Sequence, residues 1–253
     1  MTDDPPERHA VRGPQLPPAR PPDGIAEEAQ AVAQRYARRA ADDRYDPLRP
    51  EVMQARQAHD RAFAAMLRRH LRQPVQALDV LDVGCGHGSQ LLQMVQWGFD
   101  PVRLTGSELL PARVAAARAR LPATVRLLEG DATTLALPEA GFDLVLQSTV
   151  FSSLLDDAYQ QRLASAMWRW LRPGGAVVWY DFTMDNPRNP DVRGVPLTRV
   201  RALFPAASRI DARRLTLARA LARVHPALPR MFDAVPMLRT HVLAWIAKPR
   251  SPR

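Results

Sequence analysis

The 253-residue chain predicts an α/β fold whose mostly parallel sheet carries helices on both faces. Three observations predict it. Between Ala77 and Phe182, short apolar runs alternate with helical segments, the pattern of successive strand–helix units. These runs are apolar without strict alternation, as strands covered on both sides require. Hydrophobic residues make up 46% of the chain, enough for the core of one large domain or of one domain with attached helices.

Residues 1–24 hold most of their sequence as polar residues and proline, with seven of the chain's 24 prolines among the first 22 positions. This stretch predicts a disordered Pro-rich tail, and it lacks the apolar centre of a signal peptide. Two helices follow, over Ile25–Ala41 and Glu51–Leu71. In the second, Phe63, Met66, Leu67 and Leu71 share one face. The Asp46-Pro47 and Arg49-Pro50 pairs separate the two helices.

Strands are expected at Ala77–Val83, Val102–Glu108, Thr124–Gly130, Phe142–Ser148 and Ala176–Phe182. Between them fall helices over Gln90–Trp97, Pro111–Leu121 and Asp156–Leu171, with Arg172–Gly175 read as a turn into the fifth strand. Beyond lie a short helix (Leu197–Phe204) and strands at Ser208–Leu217 and Thr240–Ala247. The segment 218–238 reads as helical but broken by Pro226 and Pro229.

Several classes are excluded or disfavoured. No run approaches the roughly 18 apolar residues of a membrane span. The single cysteine, Cys85, excludes an internal disulfide framework and a multi-cysteine zinc site. No His/Cys/Asp/Glu group has metal-ligand spacing, so no metal is expected, and a cytoplasmic location is the simplest reading. The net charge of +9 is uneven. Residues 188–253 hold 14 basic groups against three acidic ones, whereas the other 187 residues hold 21 against 23. Such an excess fits a solvated face, or attraction to an anionic substrate, a membrane surface or RNA.

The strongest motif is Leu81-Asp82-Val83-Gly84-Cys85-Gly86-His87-Gly88 at the end of the first strand. Glycines there allow a sharp turn and close approach of backbone to ligand. Glu108 ends the second strand, 20 residues after Gly88, where an acid can take ribose hydroxyls. Asp131 follows the third, in Gly130-Asp131-Ala132. Acids at the carboxyl ends of consecutive strands mark one ligand crevice. The Gly-x-Gly-x-Gly spacing differs from the Gly-x-Gly-x-x-Gly that cradles a pyrophosphate, which argues against a nicotinamide or flavin enzyme.

LDVGCGHG, the acid of GSELL, the GDA segment, FDLVLQS and LRPGGAVVWYDF together resemble the successive motifs of class I, Rossmann-like S-adenosylmethionine-dependent methyltransferases of the small-molecule type. The resemblance covers roughly residues 77–183 and implies a seven-stranded sheet whose last strand, 240–247, is antiparallel. It implies one domain over 25–253: an N-terminal helical cap (25–74), a cofactor-binding core (75–183) and a substrate-side part with a helical insertion (184–253). By the same resemblance Asp82, Gly84 and Gly86 lie at the methionine end of S-adenosyl-L-methionine, and Cys85 and Leu109 are among the cofactor-binding residues. Glu108 lies at the ribose, Asp131 and Ala132 at the adenine, and Gln147 beside the methionine portion.

No general base is marked by the motifs. Asp181 and Asp185, at and beyond the end of the fifth strand, are the best-placed candidates, with Tyr180 and His87 behind them; a loop cap is the competing reading for Asp181. Cys85 reads as a small packing residue. Residues 147–150 read Gln-Ser-Thr-Val where an Asn/Asp-Pro-Pro-Tyr motif would indicate methylation of a planar amine. By family analogy, acceptor specificity comes from Tyr36–Tyr45 and from the loop 184–196, whose Asn186, Arg188, Asn189 and Arg193 would face a polar or anionic acceptor or else build a rigid connection. Segment 218–238 would cover the acceptor or touch lipid headgroups. The expected activity is methyl transfer to a small molecule, at a hydroxyl of an anionic, glycan or lipid-linked metabolite. The alternatives are an RNA methyltransferase and an inactive cofactor-binding scaffold.

Overall fold

The computed structural model describes residues 23–39, 46, 48–185, 189–217 and 239–251, and it opens on two helices, α1 (Asp23–Arg39) and α2 (Pro50–His70). Pro50 occupies the first turn of α2, where its missing N–H costs nothing. The face expected from periodicity, Phe63, Met66 and Leu67, is buried. The tail 1–22, positions 40–45, Asn186, Arg188 and the segment 218–238 lie outside the described residues.

The α/β pattern then runs as expected: β1 (Val80–Val83), α3 (Ser89–Gln96), β2 (Leu104–Glu108), α4 (Pro111–Arg118), β3 (Arg126–Glu129), β4 (Phe142–Ser148), α5 (Asp157–Trp170), β5 (Leu171–Phe182), α6 (Leu197–Leu203), β6 (Arg209–Leu217) and β7 (Arg239–Ala247). One seven-stranded sheet results, in the order β3-β2-β1-β4-β5-β7-β6. The first five strands pair in parallel, and β7 is antiparallel to both β5 and β6. Strand order reverses beside β1, and in such sheets ligands bind beyond the carboxyl ends of the strands at that point. Register brings those ends level: Val83 pairs with Ser107 and with Gln147, and Glu108 with Glu129.

Side chains alternate across the sheet and build two cores. Val177 and Trp179 point to the side of α5 and α6, with Phe151, Met167 and Phe204. Ala176 and Val178 point to the side of α2 and α3, with Phe63, Leu91 and Met94. This two-sided burial is why the strands read as unbroken apolar runs.

One element differs from the sequence reading. Arg172–Gly175, read as a turn, belongs to β5, which pairs with β4 through a register shift between Phe142 and Leu144. The C-terminal segment holds it in place: Gly174 N–H donates to Pro249 O at 3.0 Å and Lys248 N–H to Gly175 O at 2.9 Å. Arg172 also pairs with Asp143 at 2.6 Å and Asp79 at 2.9 Å. These partners are distant in sequence, so local turn chemistry could not reveal them. Among the described residues, no helix is long and apolar enough to cross a membrane, and no group of three potential metal ligands occurs.

Candidate functional site

The turn after β1 is made of residues that only glycine tolerates well: Gly84, Gly86 and Gly88 have φ of +67°, +58° and +77°. At Gly84 a Cβ would meet Val150 Cγ2 at 2.5 Å, so a side chain there would push into the β4–α5 connection. At Gly86 a Cβ would meet nothing within 4 Å; bare backbone borders open space. That space is a cavity of about 440 Å³, within the roughly 300–1,000 Å³ of small-molecule sites.

Every residue expected to hold a cofactor lines this cavity except Gln147. Glu108, 6% exposed, is tied into the glycine turn: Gly86 N–H donates to its Oε2 at 2.9 Å and Leu110 N–H to its Oε1 at 3.0 Å. Asp131 caps the short turn Ala132–Thr134 by accepting from Thr133 N–H at 2.8 Å, and it also accepts from Tyr159 Oη at 2.6 Å. Asp82 is 2% exposed, and burial, then the charge of Glu108, pushes its carboxyl up to about 8. The same causes, with Asp82 added, hold the Cys85 thiol protonated, which leaves it a packing residue. Gln147 instead spans the strand ends, donating from Nε2 to Tyr180 O at 3.3 Å and accepting Val150 N–H at 3.1 Å. It borders a narrow recess that it shares with Asp82, Gln90, Tyr180 and His59.

The opposite wall comes from the two N-terminal helices. Arg35 of α1 pairs with Glu28 at 2.6 Å and donates to Ser153 O at 3.0 Å, while Glu28 accepts Leu155 N–H at 2.8 Å. Tyr36 Oη meets Ser153 Oγ at 3.0 Å, and the Arg113 guanidinium lies 4.1 Å over the Tyr36 ring. Thus α1 is latched to the β4–α5 connection over the cavity. From α2, Val52, Ala55, Arg56 and His59 line the cavity; the sequence reading named Tyr36 as a specificity position but missed His59 and Arg56. The spacing of these residues, at i, i+3, i+4 and i+7, marks one helix face, yet the residues opposite it are distant in sequence.

The base candidates fall elsewhere. Asp181 is fully buried and does not line the cavity. Its carboxylate accepts Ser152 N–H at 3.1 Å and Phe182 N–H at 2.8 Å, and burial pushes it up to about 6 against the lowering effect of those bonds. It holds the turn Phe151–Ser153 to β5, the loop-cap role that sequence left open. His87 is exposed and outside the cavity, its imidazole held low by desolvation and by Arg113 and Arg120. Asp185 accepts Gly194 N–H at 2.7 Å. Asn189 accepts Asp191 N–H at 3.2 Å, and Arg193 pairs with Asp157. No described residue of the loop 184–196 lines the cavity, so its described part builds a connection. Tyr180 does line it.

A family model described as a methyltransferase domain matches residues 80–175, from β1 into β5. Over residues 80–175 the chain carries a methyltransferase domain, and its fold is that of class I S-adenosylmethionine-dependent methyltransferases. The demethylmenaquinone methyltransferase of Deinococcus radiodurans is 34% identical over 168 residues, covering 64% of this chain and 65% of that protein. The fatty-acid O-methyltransferase of Mycolicibacterium smegmatis is 35% identical over 108 residues, 42% of this chain and 38% of that protein. The chain therefore spans at most 65% of the length of these curated relatives. A crystal structure of the Burkholderia thailandensis 1,6-didemethyltoxoflavin-N1-methyltransferase, with its substrate and S-adenosylhomocysteine bound, shares the fold. Its TM-score is 0.61 at 22% identity, covering 95% of this chain and 94% of that one.

The groups that line the cavity fit S-adenosylmethionine. S-Adenosylmethionine carries two positive charges, a sulfonium and an ammonium. Asp82 and Glu108 present two buried acids to the cavity: Asp82, pushed up to about 8 by burial, would ionise beside a cation, and Glu108, bonded to two backbone N–H groups, has no ion-pair partner among the described residues. A buried, unpaired carboxylate calls for a cationic ligand. Two buried polar atoms on the same walls, Gln90 Nε2 and Ser107 Oγ, also lack a hydrogen-bond partner among the described residues, and buried polar groups are rarely left unmatched without a ligand or water to serve them.

Proposed function

We propose that the whole chain transfers a methyl group from S-adenosylmethionine to a small-molecule acceptor, at a hydroxyl of an anionic or lipid-linked metabolite. The observation that carries this reading is the cavity bounded on one side by the strand-end acids and glycine turn and on the other by α1 and α2. In this reading Asp82 takes the cofactor's ammonium and the bare backbone of Gly84–Gly86, with Cys85, flanks the methionine chain. Glu108 and Leu109 take the ribose, Asp131 and Ala132 the adenine, and Gln147 keeps the β4 end beside the methionine portion. Bound cofactor supplies the activated methyl group. The chain's own part is alignment, which can contribute roughly 7–11 kcal/mol to lowering a barrier.

An anionic acceptor is supported by Arg56 and Arg113 on the cavity wall; Arg113 forms no ion pair among the described residues. The names of the curated relatives, a demethylmenaquinone and a fatty-acid methyltransferase, favour acceptors of small size. The test is transfer of labelled methyl from S-adenosylmethionine to a panel of hydroxy fatty acids, naphthoquinols and phosphorylated phenols, with the methylated oxygen located in the product. Labelled product from at least one class is expected; label entering only RNA would replace this reading. The RNA reading has one observation in its favour, the exposed Arg213 and Arg214 on edge strand β6. It requires product formation to fall steeply with salt.

A further inference from the structure

Methylation of a hydroxyl releases a proton, and of the groups expected from the sequence Asp181, Asp185 and His87 lie outside the cavity, which leaves Tyr180, a phenol that would have to be ionised to accept it. We propose that His59, oriented by Asp60, is the general base of the reaction, an inference that rests on the methyl-transfer reading above.

His59 lies on the α2 face that carries Val52, Ala55 and Arg56 into the cavity. Its Nδ1 is 3.2 Å from Asp60 Oδ1. An ionised carboxylate can only accept, so this contact places the imidazole proton on Nδ1 and leaves the Nε2 lone pair free. Among the described residues nothing hydrogen-bonds to Nε2. The ring is fixed by its neighbours: it meets Tyr180 edge-on with centroids 4.5 Å apart and Phe63 at 6.0 Å, and Tyr180 in turn stacks on His241 at 5.1 Å. A locked rotamer is what a proton-transfer group needs.

The ring also borders the recess lined by Asp82, Gln90 and Gln147, so one imidazole lines both the main cavity and the recess beside the residues assigned to the methionine end. The ionisable groups facing it are Asp60 and Arg56 on α2, Asp82 on β1, and Tyr180 on β5 with His241 of β7 behind. The acceptor oxygen forms its bond to the methyl carbon as the carbon–sulfur pair returns to sulfur. The hydroxyl proton passes to His59 Nε2, and Asp60 stabilises the resulting imidazolium. With 13% of its side chain exposed, His59 can return that proton to solvent.

The test follows the His59 imidazole by NMR in the full chain, assigned by comparison with His59→Gln, in the presence of S-adenosylmethionine and then of S-adenosylhomocysteine. The two differ by the sulfonium charge, so a base facing the transferring methyl titrates at a pH lower by about half a unit or more with the first. Identical midpoints would overturn the proposal. Calorimetry on His59→Gln gives a second decision. Affinity for S-adenosylhomocysteine within about threefold of wild type fits a base that does not hold the cofactor. A tenfold loss for S-adenosylhomocysteine but not for 5′-methylthioadenosine, which lacks the amino-acid end, would make His59 a cofactor clamp and overturn it. With the acceptor that wild type methylates, His59→Gln lowers kcat by about 10²–10⁴-fold and removes the loss of rate at acidic pH. Failure of wild type to bind either cofactor form would instead defeat the methyl-transfer reading.

Discussion

The carboxylate of Glu108 and the backbone N–H of Gly86 are joined at 2.9 Å, which ties the end of β2 to the turn after β1. The other carboxylate oxygen accepts Leu110 N–H at 3.0 Å, so one buried acid shapes both loops that flank the cavity. Each oxygen retains a second lone pair for a ligand hydroxyl.

Replacement of Glu108 by Ala is expected to weaken S-adenosylhomocysteine binding by about 10- to 100-fold, or roughly 1.4–2.8 kcal/mol. It also frees two backbone donors, which lowers stability by about 1–3 kcal/mol. Glu108→Gln keeps an acceptor for only one of the two N–H groups and sets its NH2 against the other, so it should recover part of the stability and less of the affinity. Calorimetry and thermal melts of both variants separate the two effects.

Asp82 predicts a proton linkage. Its carboxyl sits near 8 in the folded chain against a usual 3.8, so the folded state binds this proton more tightly than the unfolded one. The favourable contribution is fully present below the unfolded value and is lost as pH rises through about 8. Ligand-free Asp82→Asn should therefore melt higher than wild type at pH 8.5, with the gap closing towards pH 4. Binding of a cation beside Asp82 favours the ionised form, so cofactor binding below pH 8 should release protons. Calorimetric enthalpies measured in buffers of different ionisation heat read that release directly.

Asp181 is expected to be a positioning residue. Asp181→Ala leaves the Ser152 and Phe182 N–H groups without an acceptor and should cost about 2 kcal/mol of stability. Asp181→Asn keeps an acceptor oxygen and should retain transfer within about tenfold of wild type. A loss of a thousandfold with cofactor binding intact would return Asp181 to a catalytic role.

The Arg35–Glu28 pair, with side chains 10% and 11% exposed, latches α1 across the cavity. Removing one partner of a buried pair is costly, so Arg35→Ala should lose about 3 kcal/mol. Hydrogen exchange should then rise across residues 27–37 and at Leu155, whose N–H donates to Glu28, while the β1–β4 core stays protected.

The glycine turn, Glu108 and Asp131 were legible because a parallel sheet fixes where strands end, and the intervals between those residues report it. The boundary of β5 was not, because Arg172–Gly175 is kept in register by Asp143 and the 248–249 backbone, far away in sequence. Tyr180 and Asp181 show a subtler limit. Adjacent strand residues face opposite sides, so only one can border the α2 wall; the sequence placed both at the strand end without saying which. His59 was hidden for a different reason: a helix face is periodic, but what it covers is decided by tertiary packing.

The most direct measurement is calorimetric titration of the full chain and of Glu108→Ala with S-adenosylmethionine and S-adenosylhomocysteine. Micromolar-range binding of both by wild type, weakened at least tenfold by the substitution, is the expected result. Absence of binding by wild type, or equal binding by the variant, would contradict the assignment of this cavity to the methyl donor.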